Sequence, residues 1–139
     1  MDCDIGNVEE TKTKSGIKIK FTMCQEKRDV IIASKNQLRF RRFLQIETSK
    51  GMYRYDYGDS DYGKFDDDIK EAISVLLNYA EAGVIFETPV EMKEEYGHGM
   101  RHAINTFRWS NEARYGLRSI GISDDDILDL AEQYPPNLE

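Results

Sequence analysis

SGIKIKFTM, residues 15–23, alternates as a half-buried strand does: Ile17, Ile19, Phe21 and Met23 fall on one face, Lys18, Lys20 and Thr22 on the other. The two-residue period sets the first part of the chain apart from the rest. Downstream, QEKRD (25–29) reads as a polar turn into the apolar run Val30–Ala33. SKNQ then leads to LRFRRFLQIET (38–48), where Leu38 and Phe40 share a face until the pattern slips at Arg41–Arg42, which marks either a β-bulge or a helix rather than a strand. TSKG (48–51) reads as a hairpin turn into MYRYDY (52–57), with Tyr53, Tyr55 and Tyr57 on one face. Residues 1–15 are polar without periodicity and read as loose, so residues 16–58 are mainly strands.

The period changes after residue 66. Ile69, Ala72, Ile73, Leu76, Leu77 and Ala80 recur at helical spacing, with Asp66–Asp68 as caps and Gly83 as the stop. Val84–Phe86 reads as a short buried connector or strand. Thr88-Pro89-Val90-Glu91 combines an N-cap, a proline at the first helical position and a capping-box glutamate. That helix runs toward Tyr115 unless Gly97 and Gly99 break it. Ser123-Asp-Asp-Asp126 opens a last helix that Pro135–Pro136 end, so residues 66–134 are mainly helical. Strands followed by helices give an α+β fold. We expect an N-terminal antiparallel sheet of about four strands packed against a C-terminal group of about three helices, as a single domain over residues 1–139.

Charge is divided as unevenly as the periodicity. Residues 1–54 hold 12 Lys+Arg against 7 Asp+Glu, and residues 55–139 hold 7 against 19, for a net charge of −7. The acidic part disfavours direct nucleic-acid binding and favours a protein partner with a basic surface. Small acidic proteins that mimic nucleic acid, such as those phages use against host defence nucleases, share this charge character; the analogy is one of composition. No apolar run approaches the roughly 20 residues that span a bilayer, and the acidic start lacks an apolar export signal. No membrane association is expected. Cys3 and Cys24 therefore read as reduced thiols of a cytoplasmic protein.

Where the charge changes sign stands YRYDYGDSDYGKFDDD (53–68), with four of the chain's eight tyrosines and six aspartates. As an EF-hand loop starting at Asp59 it fails, because Gly63, Lys64 and Lys70 occupy positions that need an acid, a glycine and a glutamate. Loose cation binding by Asp56, Asp59 and Asp61 is one alternative. Tyrosine offers large contact area at low entropy cost, so a docking surface of Tyr53, Tyr55, Asp56, Tyr57, Asp59, Asp61 and Tyr62 is another. Half-buried hairpin tyrosines followed by a helix cap are the structural alternative. Trp109, the only tryptophan, is a further contact candidate, with packing against the last helix or the sheet as its structural counterpart.

EEYGHGMRH (94–102) holds both histidines. On one continuous helix Glu95, His98 and His102 would share a face and could bind zinc or iron, as a metal-binding domain or a small metal-dependent hydrolase. Exposed histidines beside glutamates are the plainer reading. LRSIGISDDDILDLA (117–131) has a helix-turn-helix outline, but Asp124–Asp126 at the start of its second helix would repel DNA. No phosphate-binding, dinucleotide-binding or serine-nucleophile motif is present, and Cys24, following an apolar strand, reads as structural rather than as a Cys–His nucleophile. No catalytic residue and no required cofactor emerge. The reading favoured is a non-enzymatic, inhibitor-like interaction module; the alternatives are the metal site and a structural homo-oligomer joining the basic sheet of one copy to the acidic helices of the next.

Overall fold

The alternation at residues 15–23 builds a strand, and the strand is longer than its apolar segment. The computed structural model describes residues 4–60, 69–97 and 99–135, with the backbone alone for residues 4–6, 27–30, 32, 37–40 and 57–60. Four antiparallel strands, β1 (Asp4–Lys12), β2 (Lys18–Ile32), β3 (Lys35–Thr48) and β4 (Gly51–Ser60), lie in the order β1-β2-β3-β4. The described helices are α1 (Ile69–Ile85), α2 (Pro89–Tyr96), α3 (Met100–Ser119) and α4 (Asp124–Gln133). The class is α+β, with four helices rather than about three.

Two strand boundaries differ from expectation. Residues 4–12, read as loose, pair with β2 from Asp4↔Gln25 to Lys12↔Lys18. A register shift between Ile5 and Val8 breaks the alternation that would have revealed this strand. QEKRD is not a turn but the middle of β2; the chain reverses at Ala33–Ser34, both at positive φ (51° and 64°). Such a turn normally calls for Asn or Gly, so Ala-Ser gave no signal. The slip at Arg41–Arg42 does mark a bulge: Arg42 pairs with Gly58 and Phe43 with Asp56, leaving Tyr57 as the extra residue of β4.

One face of the sheet carries the core. Phe21 lies opposite Ile46, which lies opposite Tyr53; Met23, Leu44 and Tyr55 form the next row. These rows join Ile69, Ile73, Leu76, Leu77 and Ala80 of α1, Ala113 and Leu117 of α3, Ile120, Ile122, and Ile127 and Leu130 of α4. Each large side chain buried here contributes about 1.5–3 kcal/mol. The apolar stripe read for α1 is therefore its core face. Its expected caps, Asp66–Asp68, lie outside the described residues.

Gly83 does not stop α1, which continues to Ile85. It lets α1 and α3 approach: a Cβ there would stand 2.7 Å from the Ser110 carbonyl oxygen. Of the two readings left open for residues 89–115 the broken one holds: Gly97 adopts φ 72° and its N–H bonds the Lys93 carbonyl, closing α2. Thr88 caps α2 as read, accepting from the Glu91 N–H at 3.2 Å, while the Glu91 carboxylate reaches the Glu87 N–H instead of completing the box. Ser123 and Asp126 form a full capping box at α4. That helix clamps β1: Thr11 donates to Gln133 at 2.8 Å, and Asp129 accepts from the Lys14 N–H at 2.8 Å. Among the described residues, no helix is long and apolar enough to cross a membrane.

Candidate functional site

Strand alternation sorts the residues of the tyrosine-rich stretch onto opposite faces. Tyr53 and Tyr55 turn toward the helices, half-buried against the core, whereas Met52, Arg54 and Asp56 are exposed on the other face. Tyr53 lies flat on α3 where Gly116 offers no side chain: a Cβ on Gly116 would meet its ring at 2.3 Å. Tyr79 of α1 meets Trp109 of α3 edge to face, centroids 6.5 Å apart at 88°. Burial raises the Tyr55 phenol pKa, and the neighbouring Tyr79, Tyr53 and Asp56 add to it. Burial also raises that of Tyr53, with a further contribution from the Glu112 carboxylate. Tyr53, Tyr55, Tyr79 and Trp109 thus form an aromatic row linking β4, α1 and α3.

The row ends in an exposed indole. Trp109 is 43% exposed, beside exposed Glu112 on the same helix. It packs on Tyr79 of α1, not on the last helix or the sheet as the structural reading had it, and the indole remains 43% exposed. Val75, 41% exposed, stands one turn before Tyr79 on α1. Glu71, Glu91, Glu94 and Glu95 are exposed on α1 and α2, and Arg108 is exposed next to Trp109. A tryptophan with one edge packed and one open, beside the Glu112 carboxylate, can receive an aliphatic stem and the cation at its end.

The structure therefore divides the expected docking residues. Tyr53, Tyr55 and Trp109 come together through Tyr79. Asp56 goes to the opposite face, where Arg41 holds it through Nε at 2.6 Å and a second nitrogen at 2.5 Å. There too the Arg54 guanidinium lies 4.8 Å from the centre of the Phe43 ring. The expectation that Tyr57 shares a face with Tyr53 and Tyr55 rested on unbroken alternation, which the bulge ends. Asp59 pairs with Arg41 by backbone register, and Asp61 and Tyr62 lie outside the described residues. Sequence reasoning placed Glu112 beside Trp109 but missed Tyr79 and Gly116. A glycine inside an otherwise amphipathic helix was the one available signal, since it marks close approach of a neighbour.

The metal reading loses the geometry that motivated it. Glu95 is near the end of α2 and His102 in the first turn of α3, separated by the left-handed Gly97. His98 lies outside the described residues. Among the described residues, no group of three or more His, Cys, Asp or Glu side chains could hold an ion. His102 instead lines a small apolar pocket of about 180 Å³ with Met92, Tyr96, Ala103 and Thr106. Cys24 is a buried thiol of β2 that donates to the Thr22 carbonyl at 3.9 Å.

The sheet's other face is charged differently. Lys12, Lys18 and Lys20 border an open concavity of about 600 Å³ together with Glu10 and Glu47. Direct pairing of Lys20 with both Glu10 and Glu47 places opposite charges side by side across three strands. It reads as a mixed-charge, solvated face.

Below the core, Arg114 ties three helices together. It donates to Asp124 through Nε at 2.9 Å and through a second nitrogen at 2.6 Å, and to the Gly83 carbonyl at 3.2 Å. The Arg114 hydrogen bond holds the Asp124 carboxyl below its usual range. Burial would raise the Asp126 carboxyl, but hydrogen bonds from Ser15, Ser123 and Thr13 outweigh it and hold the pKa low. These groups are structural. No protein-family model, curated protein or solved structure matches the chain.

Proposed function

We propose that this chain is a non-enzymatic protein-interaction module that docks a basic segment of another protein over the aromatic row and the acidic helix surface around it. The half-exposed Trp109, seated on Tyr79 and beside Glu112, is the observation that carries the reading. Tryptophan and tyrosine dominate binding energetics, and like-signed carboxylates around them select a Lys- or Arg-bearing partner. A partner surface that itself binds nucleic acid has this chemistry, so occupying it would block it; the module would then act as an inhibitor.

Affinity capture at low and high salt tests the proposal, with wild type compared against Trp109→Ala and Glu112→Gln. A Lys/Arg-rich protein should be captured at low salt, released at high salt, and lost with Trp109→Ala. Capture of the same proteins by wild type and Trp109→Ala, at either salt, would remove the row from the interface.

A further inference from the structure

Three loops meet at the end of the sheet where β1 passes into β2: the turn after β1, the β3–β4 turn and the loop between α3 and α4. Between them lies a hollow of about 280 Å³, lined by apolar Ile17 and Ile120 and by polar Lys18, Ser49 and Lys50. Every residue lining it, and every chain neighbour of those residues, is described. Each loop is held by hydrogen bonds. The Thr13 N–H donates to the Ile17 carbonyl at 3.0 Å, the Thr48 hydroxyl to the Ile120 carbonyl at 2.5 Å, and the Gly121 N–H to the Arg118 carbonyl at 3.0 Å. Gly121, at φ 91°, also leaves room for the Lys50 stem: a Cβ there would stand 2.5 Å from Lys50 Cδ.

Lys18 and Lys50 are exposed, and neither forms an ion pair among the described residues. Lys18 moreover stands directly opposite Lys12 in the β1–β2 register, a like-charge pairing that costs stability unless an anion lies between or beside the two. Carboxylates on the flanking elements are engaged elsewhere. Glu10 and Glu47 face Lys20 across the sheet, Asp126 accepts from Ser15, and Asp129 accepts from the Lys14 N–H. We propose that this hollow binds a phosphomonoester: Lys18 and Lys50 neutralise the phosphate, the Ser49 hydroxyl donates to it, and the carbon of the ester rests on Ile17 and Ile120. Two ammonium groups match the charge of about −1.5 to −2 that such a group carries at pH 7, where a carboxylate would satisfy only one of them. The apolar lining selects an ester over inorganic phosphate. Because the loops are already fixed, little ordering entropy opposes binding. The inference is independent of the proposed partner, since no residue of the aromatic row lines the hollow.

An amide NMR titration of the full chain with glycerol 3-phosphate tests it. The Gly16, Ser49 and Gly121 amides should shift saturably, at lower concentration than with inorganic phosphate, and glycerol should leave them in place. Lys18→Gln and Lys50→Gln, both at exposed positions, should each raise the dissociation constant about tenfold while the rest of the spectrum is kept. Sedimentation with phosphatidylcholine vesicles identifies the source of the group. Pelleting only when phosphatidic acid is included assigns the phosphomonoester to a lipid headgroup, and no pelleting assigns it to a soluble ester. The inference is overturned if millimolar glycerol 3-phosphate gives no saturable shift, or if sodium chloride at matched ionic strength gives the same shifts. A dissociation constant unchanged in both variants overturns it as well.

Discussion

Gly116→Ala should destabilise this protein although it improves the helix. On an isolated helix the change gains about 1 kcal/mol. Here the new Cβ would meet Tyr53 ring carbons at 2.3 and 2.7 Å, about 1 Å inside an ordinary carbon–carbon contact of about 3.5 Å. Either the ring swings outward and gives up part of its burial, or α3 moves off β4; overpacking of this kind costs about 1–3 kcal/mol. The net effect should be a loss of about 1 kcal/mol. In a Tyr53→Ala background the clash is absent, and the same change should gain about 1 kcal/mol. The double-mutant cycle, measured by urea denaturation, should therefore give a coupling of about 2 kcal/mol between positions 53 and 116. The displaced ring should also ionise closer to the ordinary tyrosine pKa, because burial is the main reason its pKa is raised. If Gly116→Ala stabilises the wild type as much as it stabilises Tyr53→Ala, Tyr53 does not sit on α3 and the aromatic row is wrong.

Gly83→Ala should lose about 1–3 kcal/mol in the same assay, because its Cβ would press on the backbone of α3 at Ser110, which cannot rotate away. Ser110→Ala should gain about 1 kcal/mol in thermal or urea unfolding, since the Ser110 Oγ is fully buried and lacks a hydrogen-bond partner among the described residues. Asp124 and Asp126 have folded-state pKa values held below those of the unfolded chain. Their stabilisation is thus complete above about pH 4 and is lost as pH falls through the folded values. Asp126→Ala should cost about 1–2 kcal/mol at neutral pH, and denaturation curves taken down the acid range should show its deficit shrinking below about pH 4.

The parts of the fold legible in the sequence were those with an uninterrupted period. Ile17–Met23 and the Ile69–Ala80 stripe each bury one continuous face, and both elements form as read. β1 was hidden because its bulge breaks the alternation, and the middle of β2 because strand geometry needs no apolar residue where a stretch is not core. Gly83 and Gly116 were opaque for one physical reason. A helical glycine that stops a helix and one that admits a neighbour look alike until the neighbour is placed, and here the neighbours are Ser110 and Tyr53. The candidate site was half legible. Tyr53, Tyr55 and Trp109 stood out by residue type, but Tyr79, which joins them, sits beside an apolar stripe and looks like core edge. Asp56 was misassigned because β4 sends alternate residues to opposite faces.

Trp109 is the only tryptophan, which makes it a single-site reporter of the proposed interface. Protein carrying fluorotryptophan at this position should give one fluorine resonance. Titration with the basic partner recovered by capture should shift that resonance and protect it from a soluble paramagnetic quencher, and high salt should reverse both effects. A complex that forms, by sedimentation, while the resonance keeps its free position and its quencher sensitivity would contradict the account.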